Sequence, residues 1–370
     1  MPSLDFLARL IAFFAGAILV GVTLLSAIRT FVLPRAAPDP LTRIVFLSVR
    51  RAFDVRLKWA RTFLERDRVM ALYAPISLLA LLPTWYALVL LGYTAMFWAT
   101  GVESLYDAFR DSGSSLLTLG FAPINDLPQT ILAFTEAMFG LLLVALLIAY
   151  LPTMYAAFSR RETAVTLLEV RADSPPSAVE MILRFHRIHG LERLSELWQT
   201  WEAWFADVEE SHTSLPALAF FRSPQPDHSW ITAAGAVLDG ASLVLSSVDV
   251  PFDARAALCV RAGYIALRRV ADFFSFPYDP DPKPDDPISL SRDEYDTACE
   301  RLAAGGVPLK PDRDRAWRDF AGWRVNYDPV LLALAGLTMA PEAPWSSDRA
   351  VRYRPSFIMR RRQSKPLRRL

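Results

Sequence analysis

Ser112–Pro123 reads SGSSLLTLGFAP, too short to cross a bilayer and too apolar for an ordinary exposed loop. Long uncharged runs flank it. Val69–Val102 carries no charge over 34 residues, and Leu127–Ser159 carries only Glu136. A third run, Leu10–Ile28, is uncharged for 19 residues, about one helix across a hydrocarbon core. Asp5 and a single Arg9 precede it, and no small-residue cleavage pattern follows, so a retained span is expected rather than a removed leader. These runs predict three spans, over residues 8–33, 69–100 and 127–158, with the quoted stretch connecting the last two.

The 370-residue chain is 53% hydrophobic, but unevenly so: most long uncharged runs precede residue 160 and most charge follows it. This divides it into a membrane part, residues 1–160, and a soluble part, residues 161–350, ending in a basic tail, 351–370. The net charge of +1 is uninformative beside its distribution. Cys259 and Cys299 are too few for a disulfide framework, so reduced thiols in a cytosolic domain are expected.

Lysine and arginine set the orientation. Residues 34–69 hold nine basic and four acidic residues, whereas residues 100–126 hold Arg110 against Glu103, Asp107, Asp111 and Asp126. Arg160 and Arg161 follow the third span. The first loop and the C-terminal part are therefore expected in the cytoplasm. The N-terminus and the quoted stretch are expected outside a cell inner (plasma) membrane. In the linker 40–68, apolar residues such as Ile44, Val45, Phe53 and Trp59 interleave with the basic ones, predicting a basic amphipathic helix. Such a helix suits anionic lipid headgroups at the inner leaflet; packing on the soluble domain is the alternative.

Residues 103–125 form the connection of interest. Ser104 can cap a helix running to Leu116, with Asp107 three residues on, and Pro123 stops any helix. Thr118-Leu119-Gly120-Phe121-Ala122 then follows as an extended thread. Non-helical backbone at membrane depth is tolerated only when buried in protein or lining a watery cavity.

A short helix and a Thr-x-Gly-aromatic thread between two spans resemble the pore of potassium-channel-like proteins, whose Thr-Val-Gly-Tyr-Gly filter carbonyls replace an ion's hydration shell. The resemblance covers about residues 69–160. Thr118 and Gly120 match; Leu119 stands for Val, Phe121 for Tyr without its hydroxyl, and Ala122 for the last glycine. It implies a mainly α fold with a re-entrant pore loop, Ser114 and Ser115 supporting it, and Thr118–Ala122 as the selectivity filter. It also implies a permeant monovalent cation, potassium by the family's pattern, and a homotetramer, because one loop cannot enclose an ion path. Gly140 and Pro152 fall where the inner helix of such channels hinges and gates; each could equally be an ordinary contact glycine or a tolerated proline. Glu136, some nine residues into its span, either tunes cation occupancy or braces the pore helix through Ser114, Ser115 or Thr118. Phe121 and Ala122 motivate the alternative of a non-conducting sensor or scaffold on the same architecture.

Apolar periodicity predicts cytoplasmic helices over Glu180–Phe205, Ile231–Val248, Arg255–Phe274 and Asp328–Met339. Tyr278–Pro287, YDPDPKPDDP, predicts an acidic loop dividing that part into two pieces that can still pack together. No glycine-rich nucleotide loop or catalytic signature is present, so neither an enzyme nor a resident cofactor is expected, and the regulatory ligand or protein stays unidentified. His186, His189, His212, His228 and Cys299 lack the paired spacing of a metal site. Trp198, Trp201 and Trp204 with Phe205 read as core. The tail carries eight basic residues and no acidic one, which suits lipid headgroups; a membrane-tethered chain gives no reason to expect nucleic acid.

Overall fold

The computed structural model describes residues 2–33, 39–124 and 126–350, so the basic tail lies outside the described residues. Thirteen α-helices follow one another along them, and the single β pairing among the described residues is an isolated bridge between Val248 and Leu309. The chain divides at Ala157–Phe158 into two units.

In the first unit, α1 (Pro2–Phe31), α4 (Tyr73–Ala99) and α6 (Leu127–Ala172) supply the long apolar helices. Three stretches, Asp5–Phe31, Phe63–Ala99 and Leu127–Ala172, are long and apolar enough to cross a membrane. Phe6, Ile18, Leu79, Phe134 and Leu141 stand exposed on them, an arrangement costly in water and natural in hydrocarbon. The α1–α4 packing turns on two glycines. A Cβ on Gly92 would lie 2.7 Å from Val20 Cγ2 and 2.9 Å from the Gly16 carbonyl, so only small residues permit this approach. Trp85 Nε1 donates to Ser26 Oγ (3.2 Å), and Ser26 donates to Asp39 Oδ2 (2.6 Å). Asp39 also caps α2 (Pro40–Leu57), accepting from Thr42 N at 2.8 Å, which ties α2 to the end of α1.

Two elements differ from expectation. The second span enters through α3 (Phe63–Ala71), set apart from α4 at Leu72; a Thr62–Glu65 capping box starts it. The helix that carries the third expected span continues past 158. Ser159–Ala172 holds good helix formers and no glycine or proline, so α6 runs unbroken past Pro152 for 46 residues.

The second unit packs around α9 (Trp230–Ser246), which is buried along nearly its whole length. Against it lie α7 (Ala178–Arg187), α8 (Leu194–Ser214), α10 (Ala254–Phe273), α11 (Arg292–Ala304), α12 (Arg313–Arg324) and α13 (Asp328–Thr338) in one hydrophobic core. Trp198, Trp201, Trp204 and Phe205 fill that core as the stripe predicts. The expected single helix over Glu180–Phe205 is two helices. His189 takes a left-handed φ of 53°, and Gly190 N bonds back to Phe185 O at 2.8 Å, which ends α7. Helices from both sides of the acidic proline-rich loop share the core. Cys259 and Cys299 are buried free thiols.

Arg324, fully buried, is the polar centre of this unit. Its Nε donates to Asp328 Oδ1 (2.9 Å), one terminal nitrogen to Asp239, and the other to Trp345 O (2.5 Å). Tyr327 OH adds a bond to Asp239 Oδ1 (2.7 Å), and Asp328 Oδ2 accepts from Ser289 N (2.7 Å).

Arg349 clasps Glu294 of the α11 capping box (2.8 Å) and its hydrogen bond holds that carboxyl down at about 2. The contribution is whole above the ordinary value of 4.5 and is lost as pH falls from there toward about 2. The Glu294 side chain is 41% exposed, so screening limits the effect to about 1 kcal/mol or less. Denaturation midpoints of wild type and Glu294→Gln should therefore differ at pH 6 and converge near pH 2.5.

Candidate functional site

The connection Thr100–Asp126 is built on α5 (Leu105–Leu116). Ser104 starts it as expected, accepting from Asp107 N at 3.0 Å while its hydroxyl donates to Asp107 Oδ2 at 2.6 Å. Ala108, Ser112 and Leu116, spaced four apart, form its buried stripe.

That stripe fixes the depth of α5. Ser112 Oγ lies 3.2 Å from Leu90 O, nine residues before the end of α4, or about 14 Å back along that helix at 1.5 Å per residue. The Leu116 carbonyl abuts Gly140, 13 residues into α6 and so about 20 Å from its start. The chain therefore runs back alongside α4 after leaving it, and α6 begins at Leu127, about 20 Å along its axis from the Leu116 contact. A Cβ on Gly140 would collide with the Leu116 carbonyl oxygen and lie 3.1 Å from Leu116 Cδ1. Gly140 is thus a close-approach glycine, and its own carbonyl accepts from Tyr86 OH at 2.7 Å. Tyr93 OH donates to Thr135 Oγ1 (3.0 Å), a second tie between α4 and α6.

Glu136 faces α5. It is fully buried; Ser112 Oγ donates to its Oε1 at 2.6 Å, while Oε2 has no hydrogen-bond partner among the described residues. The hydrogen bond from α5 to Glu136 comes from Ser112 and not from Ser114, Ser115 or Thr118. The four-residue spacing of Ser112 from Ala108 and Leu116 is the signal that could have singled it out.

Ser114 organises the thread that follows. Its carbonyl accepts from Leu119 N (2.8 Å) and Gly120 N (3.4 Å), and its Oγ accepts from Ala122 N (3.2 Å). Ser115 instead turns its hydroxyl inward to Asp111 O (2.8 Å), while its carbonyl accepts from Thr118 N (3.0 Å). Left-handed φ angles fall on Thr118 (54°) and Gly120 (68°). Ala122 lies outside that region; the strain of the thread falls on Thr118, where a β-branched residue stores on the order of 1–3 kcal/mol. Leu119 and Phe121 are 60% and 55% exposed, and the Arg110 guanidinium sits 5.8 Å from the Phe121 ring.

Pro152 lies within unbroken helix. Of the sequence-derived residues, Ser114, Glu136, Gly140 and Thr118–Ala122 are drawn together through α5; Ser115 borders them, and Pro152 lies three turns of α6 beyond Gly140. The side chains of the thread are apolar apart from the Thr118 hydroxyl. Its residues 117–123 include no ionisable side chain and no base beside a hydroxyl, so acid–base or nucleophilic chemistry has no constellation here.

These features define a mainly helical protein with three helices long and apolar enough to cross a membrane and a short helix lodged between the last two. No family model matches the chain, no curated protein matches it, and no solved structure matches it.

Proposed function

We propose that this chain is one subunit of a homotetrameric pore-loop cation channel, with potassium or another monovalent cation as the permeant ion and the second unit as its cytoplasmic regulatory domain. The observation that carries the reading is the depth of α5. The helix reaches about 14 Å back along α4 and about 20 Å along α6, and the chain then returns to the side from which it came. A segment that enters and leaves on one side of a bilayer needs protein or water around its unpaired backbone, and four copies around an axis supply both. The carbonyl end of α5, which carries the negative end of the helix dipole, points inward and favours a cation there. Thr118–Phe121 would line the ion path; Glu136, behind α5, would hold the loop in place. The charge asymmetry of the connections supports an inner (plasma) membrane with the N-terminus outside and α2 at anionic lipid.

Reconstitution tests this. Proteoliposomes should show potassium flux. Gly120→Pro should lower it at least about tenfold, because proline fixes φ near −65° where Gly120 has 68°. Native mass spectrometry in detergent should show four chains. Equal flux from wild type and Gly120→Pro would end the channel reading. One observation favours a second reading, a non-conducting sensor on the same scaffold: left-handed backbone falls on Thr118 rather than on Ala122, so the carbonyl sequence differs from that of a glycine-spaced filter. That reading expects tetramers, no flux, and a partner retained by the second unit under its stimulus.

A further inference from the structure

We infer that the second unit carries a binding site for a phosphate group at the N-terminus of α9. A cleft there is lined by Phe220, Arg222, Ser223, His228, Ser229 and Thr338, among others. Two of its side chains are more than nine-tenths buried and end in unpartnered atoms: Ser223 Oγ and His228 Nδ1. Unpaired buried polar atoms are rare in folded proteins, and two lining one cleft call for a ligand with several polar atoms.

The remaining groups determine its charge. The carbonyls around the cleft are already engaged. Ala219 O accepts from Trp230 Nε1 (3.3 Å), and Phe221 O from Arg161 (2.8 Å). Thr338 O and Met339 O accept from Arg222 Nη2 at 2.7 and 3.0 Å, bonds that hold this guanidinium at the cleft. Ser229 and Trp230, at the start of α9, line the cleft; Ser229 Oγ accepts from Ile231 N (3.3 Å), and the Trp230 and Thr232 N–H groups have no intrahelical acceptor. With the Ser223 hydroxyl and the positive end of the helix dipole, the cleft suits an anion rather than a cation.

His228 makes the class more specific. Its Nε2 lies 3.3 Å from Glu169 Oε2, a neighbour that favours the proton on Nε2 and leaves Nδ1 as an acceptor. A phosphate that keeps one proton, as inorganic phosphate does at neutral and mildly alkaline pH, can donate to Nδ1, a bond that a chloride cannot make. The charged groups around His228 are Glu169 on α6, Asp173 just after it, and Arg222 and Asp227 in the loop before α9; Asp173 is paired with Arg184, and Asp227 accepts from Ser174. The α13 side contributes Thr338, Ala340 and Pro341, which are uncharged.

The inference is independent of the channel reading, because its test measures binding and not flux. Full-length protein in detergent is titrated calorimetrically with inorganic phosphate, and separately with a short-chain phosphatidic acid, at constant chloride. Saturable binding at one site per chain is expected; binding of the lipid alone would identify a headgroup as the source. Ser223→Ala deletes an unpartnered hydroxyl, so the fold should survive, as a melting curve in chloride will show, while affinity falls about fivefold to tenfold for one lost bond to a charged group. His228→Leu, which removes the Nδ1 acceptor, should weaken binding by a similar factor. Absence of binding by both ligands, or binding that neither substitution changes, would overturn the site.

Discussion

Gly140→Val should produce one of the largest losses of any single change in the first unit. The new Cβ would strike the Leu116 carbonyl, a backbone atom that cannot swing aside as a side-chain tip would. Either α5 shifts outward or α6 bends, at a cost of about 1–3 kcal/mol for overpacking. The shift would also part Ser112 from Glu136, leaving a carboxyl buried without its one donor. The expected results are a melting temperature several degrees lower in detergent and, on the channel reading, flux reduced at least about tenfold in proteoliposomes. Gly113→Ala is the control. Its Cβ would meet Leu90 Cδ1 at an ordinary 3.8 Å, and alanine inside a helix gains about 0.5–1 kcal/mol over glycine. Wild-type melting and flux in Gly140→Val would show that the α5–α6 contact does not hold the loop.

Arg324→Met should destabilise the second unit by about 3–5 kcal/mol, because it strands Asp239 and Asp328 in the core without their cation. Burial already raises the Asp239 carboxyl above the ordinary range, and the Arg324 charge opposes that rise. Removing the charge leaves the burial that raises this carboxyl unopposed, so the variant should lose stability further as pH rises above the ordinary carboxylate range. Urea denaturation followed by tryptophan fluorescence reads the effect. The triple change Arg324→Met, Asp239→Asn, Asp328→Asn should recover part of the loss. A cost under about 1 kcal/mol for Arg324→Met alone would mean that water reaches this cluster.

Much of this architecture is legible in the sequence because it rests on composition and local chemistry. The three apolar runs are length arguments, the Ser104 cap is a four-residue pattern, and the tryptophan stripe needs only helical period. What escaped depends on how separate elements meet. Ser112 differs from Ser114 and Ser115 only by which face of α5 turns toward Glu136, and that rotation is set by packing on two other helices. The helices α11 and α12 were missed because Arg292–Ala304 and Arg313–Arg324 are dense in charge, which weakens apolar periodicity. Arg324 reads as a solvated residue in sequence; two carboxylates from α9 and the α13 N-terminus draw it inside. The break after α7 was visible as Ile188-His189-Gly190, but the apolar pattern on either side masked it. The extension of α6 to Ala172 was hidden by the charge change at Arg160, which marks the limit of an apolar run and not the end of a helix.

Cys259 and Cys299 have a practical consequence. Both thiols are buried, and burial pushes both up from the ordinary cysteine value, so neither offers a thiolate to an aqueous reagent. The natural chain is therefore already a silent background for site-directed labelling. A cysteine introduced at Leu119 or Phe121 would be the one fast-reacting thiol in the folded protein. Impermeant methanethiosulfonates added to one face of a sealed vesicle, with and without potassium, could then report which compartment the thread faces and whether an ion shields it.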